Sequence, residues 1–390
     1  MEKICTRREI IKLAGMMAAA AAVTLTGYRR LWAMERTMSD LLAQQYYEGI
    51  KGLAEYPYFE LSENGLLRLT VDGLDNGIDG HTHFALNAFA GGKPDLLKVF
   101  PETRYYLPPD IRTSLQLYAN QNLNDLEKKE MGRQIMKTYL PGGSPVSETH
   151  TIPNLLAEMD LLGIEKAVVL PVKSGFPFGD DMTERYIEAI DRSGMADRFI
   201  VCGSVKPTED KAVEEVKAYS KMGLKGIKMH PNSARFYPDD RSAWPVYETC
   251  GKLGLPVLIH CGRTGYVERK TLGVKLYTED FSDIARFEEP IAAFPNTRFV
   301  LCHSGALQNE GAVRIAAKHR NVWMDIHGQG VDRIKVMIKE VGAERLMYGS
   351  DWGFYPQAAI LVRLLIATEH DPVVRRMIFS ENARRFWGIA

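Results

Sequence analysis

Cysteine is scarce in this chain: Cys5, Cys202, Cys250, Cys261 and Cys302 are the five among 390 residues, and no Cys-x-x-Cys pair occurs. That pattern excludes a disulfide framework and leaves the thiols as small buried hydrophobes. An excess of charge of one sign is also lacking. Lys+Arg and Asp+Glu stand at 49 each and the acidic residues are scattered. This balance argues against nucleic-acid binding, a polybasic membrane anchor and an acidic tail. The apolar, Ala-rich stretch from Leu13 to about Gly27 is shorter than the ~20 residues a membrane-spanning helix needs. No Gly-rich phosphate loop follows an early strand, which counts against an open doubly wound sheet. What is present, 45% hydrophobic and 25% charged residues, suits the large core of a soluble enzyme.

The N-terminus has the layout of a signal peptide, a charged start followed by a short apolar region. Arg7 and Arg8, ahead of Ile10, Ile11 and Lys12, resemble a twin-arginine export signal. Residues 1–30 are therefore set aside from the fold, and the expectation is a protein handed to the twin-arginine machinery and exported to the periplasm or beyond. That route carries folded proteins, so a metalloenzyme can load its metal before export.

Residues 31–76 read as a helix over 39–53 and a hairpin, 59–61 and 66–71, turning at Asn64-Gly65. From residue 77 short apolar runs alternate with helical patterns. The runs are 77–83, 166–172, 199–206, 226–230, 256–261, 298–303, 322–327 and 345–351. Between the third and fourth, Thr208 can cap a helix, Ala212, Val213, Val216 and Tyr219 recur at helical spacing, and Gly223 supplies a stop. Eight such βα units predict an α/β chain with a (β/α)8 TIM barrel over 77–390. Residues 84–150 are too long for a bare loop. They carry Arg104, Tyr105, Tyr106 and a helical stretch near 114–136, and read as a lid-like insertion over the barrel mouth.

Six of the nine histidines, His81, His83, His230, His260, His303 and His327, fall at predicted strand ends. In a parallel barrel those ends form one face, where active sites are built. In His81-Thr82-His83 both imidazoles point the same way, because side chains two apart on a strand share a face. His260 and His303 end the fifth and sixth strands, and Asp351 ends the eighth. Three imidazoles and a carboxylate suit one divalent transition metal, zinc first.

Asp79-Gly80-His81-Thr82-His83, Gly226-Ile227-Lys228-Met229-His230-Pro231, Ile259-His260, His303-Ser304-Gly305 and Gly349-Ser350-Asp351-Trp352 resemble the amidohydrolase superfamily. They look most like its amidohydrolase-related branch, which includes aminocarboxymuconate-semialdehyde decarboxylase and other non-oxidative decarboxylases. The run from Phe379 to Phe386 is similar to that branch's closing helix, so the resemblance covers about residues 77–388. It implies a distorted (β/α)8 barrel, with His81, His83, His260 and Asp351 on the metal. It also implies that Asp351 handles a proton and that His303 holds or activates the metal-bound water. Lys228 stands where distant members carry a carboxylated, metal-bridging lysine. Many relatives have two glycines after the sixth-strand histidine, where this chain has Ser304-Gly305. Homodimers are common among such proteins.

The first reading of this set is hydrolysis of a small amide, lactone or ester-like substrate by a metal-activated water, with Asp351 and His303 managing protons. The alternative is non-oxidative decarboxylation of a small unsaturated or aromatic acid. Its carboxylate would be oriented by Arg263, Lys228 or Arg104, since arginine pairs carboxylates bidentately. His230, His327 and Trp352 join Lys228 and Arg263 as candidates for substrate contact. A non-catalytic metal-binding protein on the same scaffold is the third reading, and the presence of every expected ligand type speaks against it.

Overall fold

A computed structural model describes residues 45–87, 94–175, 182–265, 270–271, 274–275 and 279–389. The signal-like segment lies outside them. Among the described residues no helix is long and apolar enough to cross a membrane.

The barrel strands are β1 (Gly77–Thr82), β2 (Ile164–Val169), β3 (Phe199–Val201), β4 (Gly203–Ser204), β5 (Ile227–Met229), β6 (Val257–His260), β7 (Phe299–Cys302), β8 (Val322–Asp325) and β9 (Leu346–Met347). All neighbouring pairs are parallel, in the order β1-β2-β3 and β4-β5-β6-β7-β8-β9. The third predicted run is thus one strand broken at Cys202. Its first half pairs back to β2, and its second half pairs forward to β5. The two free edges meet as well: Gly80 N–H donates to the Tyr348 carbonyl at 2.9 Å, Asp351 N–H to His81 at 2.8 Å and His83 N–H to Trp352 at 3.1 Å.

The outer layer carries α2 (Ile152–Leu161), α3 (Met182–Ser193), α4 (Ala212–Lys221), α5 (Trp244–Leu253), α6 (Glu288–Ala293), α7 (Asn309–Lys318), α8 (Val331–Glu340) and α9 (Gln357–Ala367), while α1 (Asp125–Lys137) belongs to the insertion. Strand residues split by parity, as a twofold pleat requires. Val257, Ile259, Phe299 and Leu301 pack under the helices. Ile78, Val168, Ile200, Leu258, Val300 and Met347 form a separate inner plug, sealed by Ala383 and Phe386 of the closing helix. Burial on both faces is why these runs read as continuously apolar. The plug fills one end of the barrel, so the polar strand ends are left to the other. In β1 the register with β2 slips between Asp79 and Thr82. That bulge lets Ile78 join the plug while His81 reaches the rim cluster, a use of bulges common beside functional sites.

Several local expectations are corrected. No helix fills 45–53: Tyr46–Glu48 is a strand paired antiparallel with Arg112–Ser114, and Ile50–Glu55 is a 3-10 turn. Tertiary pairing overrides the local helical pattern. Thr208 caps nothing; α4 starts after Lys211 without a side-chain cap, although Gly223, at φ +85°, does end it. The helical stretch of the insertion starts late, at Asp125, where Asn124 and Glu127 form a reciprocal capping box. The hairpin stands as Phe59–Leu61 and Leu67–Leu69. Cys202, Cys250, Cys261 and Cys302 are free and buried.

The insertion is bolted down by one buried cation. Arg363 on α9 donates to the carbonyls of Leu117 at 2.6 Å, Gln329 at 3.0 Å and Ser114 at 3.2 Å. A buried guanidinium is tolerated because carbonyls take up its donors.

Candidate metal centre

At the C-terminal strand ends the outward hydrogen bonds fix what each imidazole offers inward. His83 Nδ1 lies 2.6 Å from the Leu170 carbonyl and can only donate to it, so the neutral ring keeps its lone pair on Nε2. His81 Nδ1 is held at 2.8 Å by Asp325 Oδ2, which again turns an Nε2 lone pair inward. The two Nε2 atoms stand 3.2 Å apart. Asp351 Oδ1 is 3.0 Å from His83 Nε2 and 3.6 Å from His81 Nε2. Three electron-pair donors facing one another at this range repel unless positive charge lies among them, and the Lys228 amine, 3.3 Å from His81 Nε2, meets one of the three. The donor set therefore fits a divalent metal.

His327 and His303 flank the same carboxylate. His327 Nδ1 meets the Ser350 carbonyl at 3.2 Å, which sends its Nε2 toward Asp351 Oδ2 at 3.4 Å; His303 Nδ1 is 3.9 Å from that oxygen. His260 Nδ1 and His303 Nε2 share a hydrogen bond of 2.7 Å. His260 Nε2, His303 Nδ1 and His327 Nε2 are buried without a hydrogen-bond partner, an arrangement proteins rarely keep unless something else satisfies it. Of the four expected ligands, His81, His83 and Asp351 come within range of one another and His260 does not join them; its ring stacks on His230 at 4.1 Å and 11°.

The electrostatics agree with ligation. Burial, aided by neighbouring positive groups, drives His81, His260 and His303 well below the ordinary imidazole range. Burial likewise lowers His327 to about 4 and His230 to about 3. Neutral rings keep the lone pairs a metal needs. Burial alone would raise Asp351, but His327, His83 and Lys228 together hold it below the usual carboxylate range. Burial pushes Asp325 up to about 7 against the pull of Lys228 and the His303 N–H.

Backbone strain concentrates here. His303, Ser304 and Asp351 adopt φ of +62°, +47° and +56°, a left-handed region costly for L-residues. Ser304 occupies a position where glycine would sit without strain; its hydroxyl donates to the Asp325 carbonyl and anchors the turn.

A partly enclosed cleft opens above the cluster. His83, Lys228, His230, His260, His303 and Asp351 line it below; Tyr106, Tyr118, Asn120, Ile135 and Tyr139 of the insertion line it above, with Phe354 and Tyr355. His81 and His327 lie beneath this surface. Lys228 is the one cationic side chain lining it among the described residues. Its amine is 3.3 Å from His81 Nε2 and donates to Cys302 Sγ at 3.3 Å.

Two expected substrate contacts lie elsewhere. Arg263, half exposed, pairs with Asp283 at 2.6 Å, and Trp352 is buried with its indole N–H on Glu158 at 2.8 Å. Arg104 also stays off the cleft; its carbonyl takes the His150 ring N–H at 2.7 Å. Asp325 was missed, although Asp325-x-His327 repeats the period-two logic of His81-x-His83 and was open to the same reading. Glu158 has no such signal, because it sits on α2 far from any strand end.

His150 offers a test of these burial effects. Its ring is pushed down to about 4, by burial first and against the Arg104 hydrogen bond. The fold then binds fewer protons than the unfolded chain between about pH 4 and 6.5, so this stability is full above 6.5 and lost toward 4. The Tm of metal-free protein should fall across that window, and fall less in His150→Asn. Equal losses in both proteins would count against the account.

A parallel (β/α)8 barrel with its polar groups gathered on the C-terminal rim defines a class of barrel enzymes. Within that class the chain belongs to the Amidohydrolase family (Amidohydro_2), whose pattern matches residues 78–389. Among solved structures, 5-carboxyvanillate decarboxylase from Novosphingobium aromaticivorans, complexed with manganese and 4-hydroxy-3-methoxy-5-nitrobenzoic acid, is 16% identical. The match covers 84% of this chain and 97% of that one, with a TM-score of 0.54. A dihydroxybenzoic acid decarboxylase from a Polaromonas species, with bound manganese and 2-nitroresorcinol, is 15% identical over 81% of this chain and 97% of that one, at a TM-score of 0.50. An uncharacterised TIM-barrel protein from Bordetella bronchiseptica is 17% identical over 70% and 96%, at 0.53. A search of curated protein sequences finds no match.

Proposed function

We propose that this protein is a metal-dependent non-oxidative decarboxylase of a small aromatic or unsaturated carboxylic acid. The observation that carries the reading is the convergence of His81 Nε2, His83 Nε2 and Asp351 Oδ1 at the floor of a cleft walled by Tyr106, Tyr139, Phe354 and Tyr355. A flat ring fits between such walls. The aromatic-acid decarboxylases among the similar folds support it.

His81, His83, His260 and Asp351 would hold one divalent ion, zinc by its donor set, with manganese the rival that two relatives contain. When bound, the ion would draw charge from a substrate oxygen. Lys228, in place of Arg263, faces the substrate carboxylate. Asp351, flanked by His83 and His327, takes up a proton from the medium and passes it to the substrate carbon, with His303, bonded to His260, on its far side. The bond to the carboxylate breaks, its electron pair stays on carbon, the proton takes that place and carbon dioxide leaves. No water or oxidant is consumed.

The test is metal content by mass spectrometry, expected near one ion per chain, followed by a panel of hydroxybenzoates and their amides and esters in ¹⁸O-water. Carbon dioxide release with no label in the organic product supports the reading. A labelled product without carbon dioxide would restore hydrolysis, which the same proton-handling groups can serve. We also retain export by the twin-arginine route as a proposal, carried by Arg7 and Arg8. Cell fractionation checks it, and cytoplasmic retention would sink it.

A further inference from the structure

Glu158 sits on α2, outside the strand ends and away from the cleft, yet it is only 6% exposed. Its Oε1 accepts the Trp352 indole N–H at 2.8 Å and the Tyr105 hydroxyl, and its Oε2 accepts the Gln357 N–H at 3.4 Å. Every partner is a donor, so only a group rich in acceptor lone pairs satisfies all three. No step of the proposed chemistry uses this carboxylate.

Its partners explain why a buried acid is kept there. Trp352 directly follows Asp351, whose φ of +56° must be imposed from outside. The backbone holds the turn on both sides: Asp351 N–H goes to His81, His83 N–H to the Trp352 carbonyl at 3.1 Å, Phe354 N–H to the Asp351 carbonyl at 2.9 Å, and Trp352 N–H to Ser350 Oγ at 3.0 Å. The Trp352 ring, packed 5.5 Å from His150 with its indole N–H on Glu158, adds a side-chain anchor to that backbone set. Tyr105 belongs to the insertion and precedes Tyr106, which lines the cleft and packs on Phe354 at 4.6 Å.

We infer that Glu158 is a positioning residue: by gripping the Trp352 indole and the Tyr105 hydroxyl together, it sets the left-handed turn that carries Asp351 and docks the insertion against it. The inference rests on Asp351 being a metal ligand. Outer supports of this kind are worth about 10–100-fold in metal affinity.

The experiment is a Zn²⁺ titration of the full chain against a chromophoric chelator, with the Tm of the metal-free protein measured in parallel. Glu158→Leu and Trp352→Phe should each raise the Kd for Zn²⁺ by about 10–100-fold, and the double variant should be no worse than Glu158→Leu alone, because the indole contact is already lost there. Glu158→Gln, which keeps an acceptor for the indole, should recover much of the affinity. A Kd indistinguishable from wild type in Glu158→Leu and Trp352→Phe, with a lowered Tm, would show a merely structural acid and overturn the inference; so would additive losses. If Glu158→Leu does not fold, Trp352→Phe alone decides. A wild type that binds no Zn²⁺ overturns the metal reading itself, and the inference with it.

Discussion

Asp351→Asn is expected to lower turnover by about 10²–10⁴-fold, the usual worth of a positioned proton donor or acceptor, and to weaken metal binding in the same protein. The asparagine fills nearly the same volume, so the fold has no reason to change. What is lost is charge and protonation. Asp351 is the point where two sets of imidazoles meet: Oδ1 faces His83 at 3.0 Å and His81 at 3.6 Å, while Oδ2 faces His327 at 3.4 Å and His303 at 3.9 Å. An amide NH₂ turned toward His83 or His81 donates into an Nε2 lone pair that a metal needs, and the amide carries no negative charge to offset a dication. Turnover on an identified substrate and metal content per chain are the measurements. Full turnover with full metal content would remove Asp351 from both roles.

Asp325→Asn should be almost as damaging, although Asp325 is buried beneath the site. Its two oxygens do separate jobs: Oδ1 accepts the His303 N–H at 2.7 Å and Oδ2 holds His81 Nδ1 at 2.8 Å. An asparagine keeps the first contact with its carbonyl and must then present its NH₂ to His81 Nδ1. The ring answers by moving its proton to Nε2, and the lone pair meant for the metal disappears. A wrong tautomer of this kind costs about 10⁴-fold in the serine-protease triad, where the aspartate plays the same part. We expect a drop of about 10²–10⁴-fold in turnover, with metal affinity down about 10–100-fold. Asp325→Glu, which restores an acceptor, should recover part of it. A fully active Asp325→Asn enzyme would show that the His81 tautomer does not matter.

The barrel was legible because its strands are buried on both faces and its polar residues fall at the strand ends. Those two features are written in residue order; the run boundaries differ from the strands by end trimming, by the break at Cys202 and by the second strand, Ile164–Val169, which starts ahead of its run at 166–172. His81 and His83 were legible through the period of two, even though the bulge in β1 breaks that period just before them. His260, His303 and Asp351 were legible because each ends an apolar run. Distance in the chain hid the rest. Asp325 is 244 residues from the ring it holds, and Arg263 looked like a carboxylate clamp until Asp283 was seen to occupy it. The opening strand was misread because its partner among the described residues, Arg112–Ser114, lies far along the chain inside the insertion.

That strand places a boundary on how the chain can be shortened. Tyr46–Glu48 is zipped to Arg112–Ser114, the Gln45 carbonyl takes the Leu115 N–H at 2.7 Å, and Ile50 N–H reaches Pro109 at 2.8 Å. The roof of the cleft thus hangs from a thread that enters well upstream of the barrel. A cut before Gln45 leaves these contacts in place. One that trims a few residues further strips an edge from the segment leading to Tyr118 and Asn120, and would loosen the cleft while leaving every barrel strand in place.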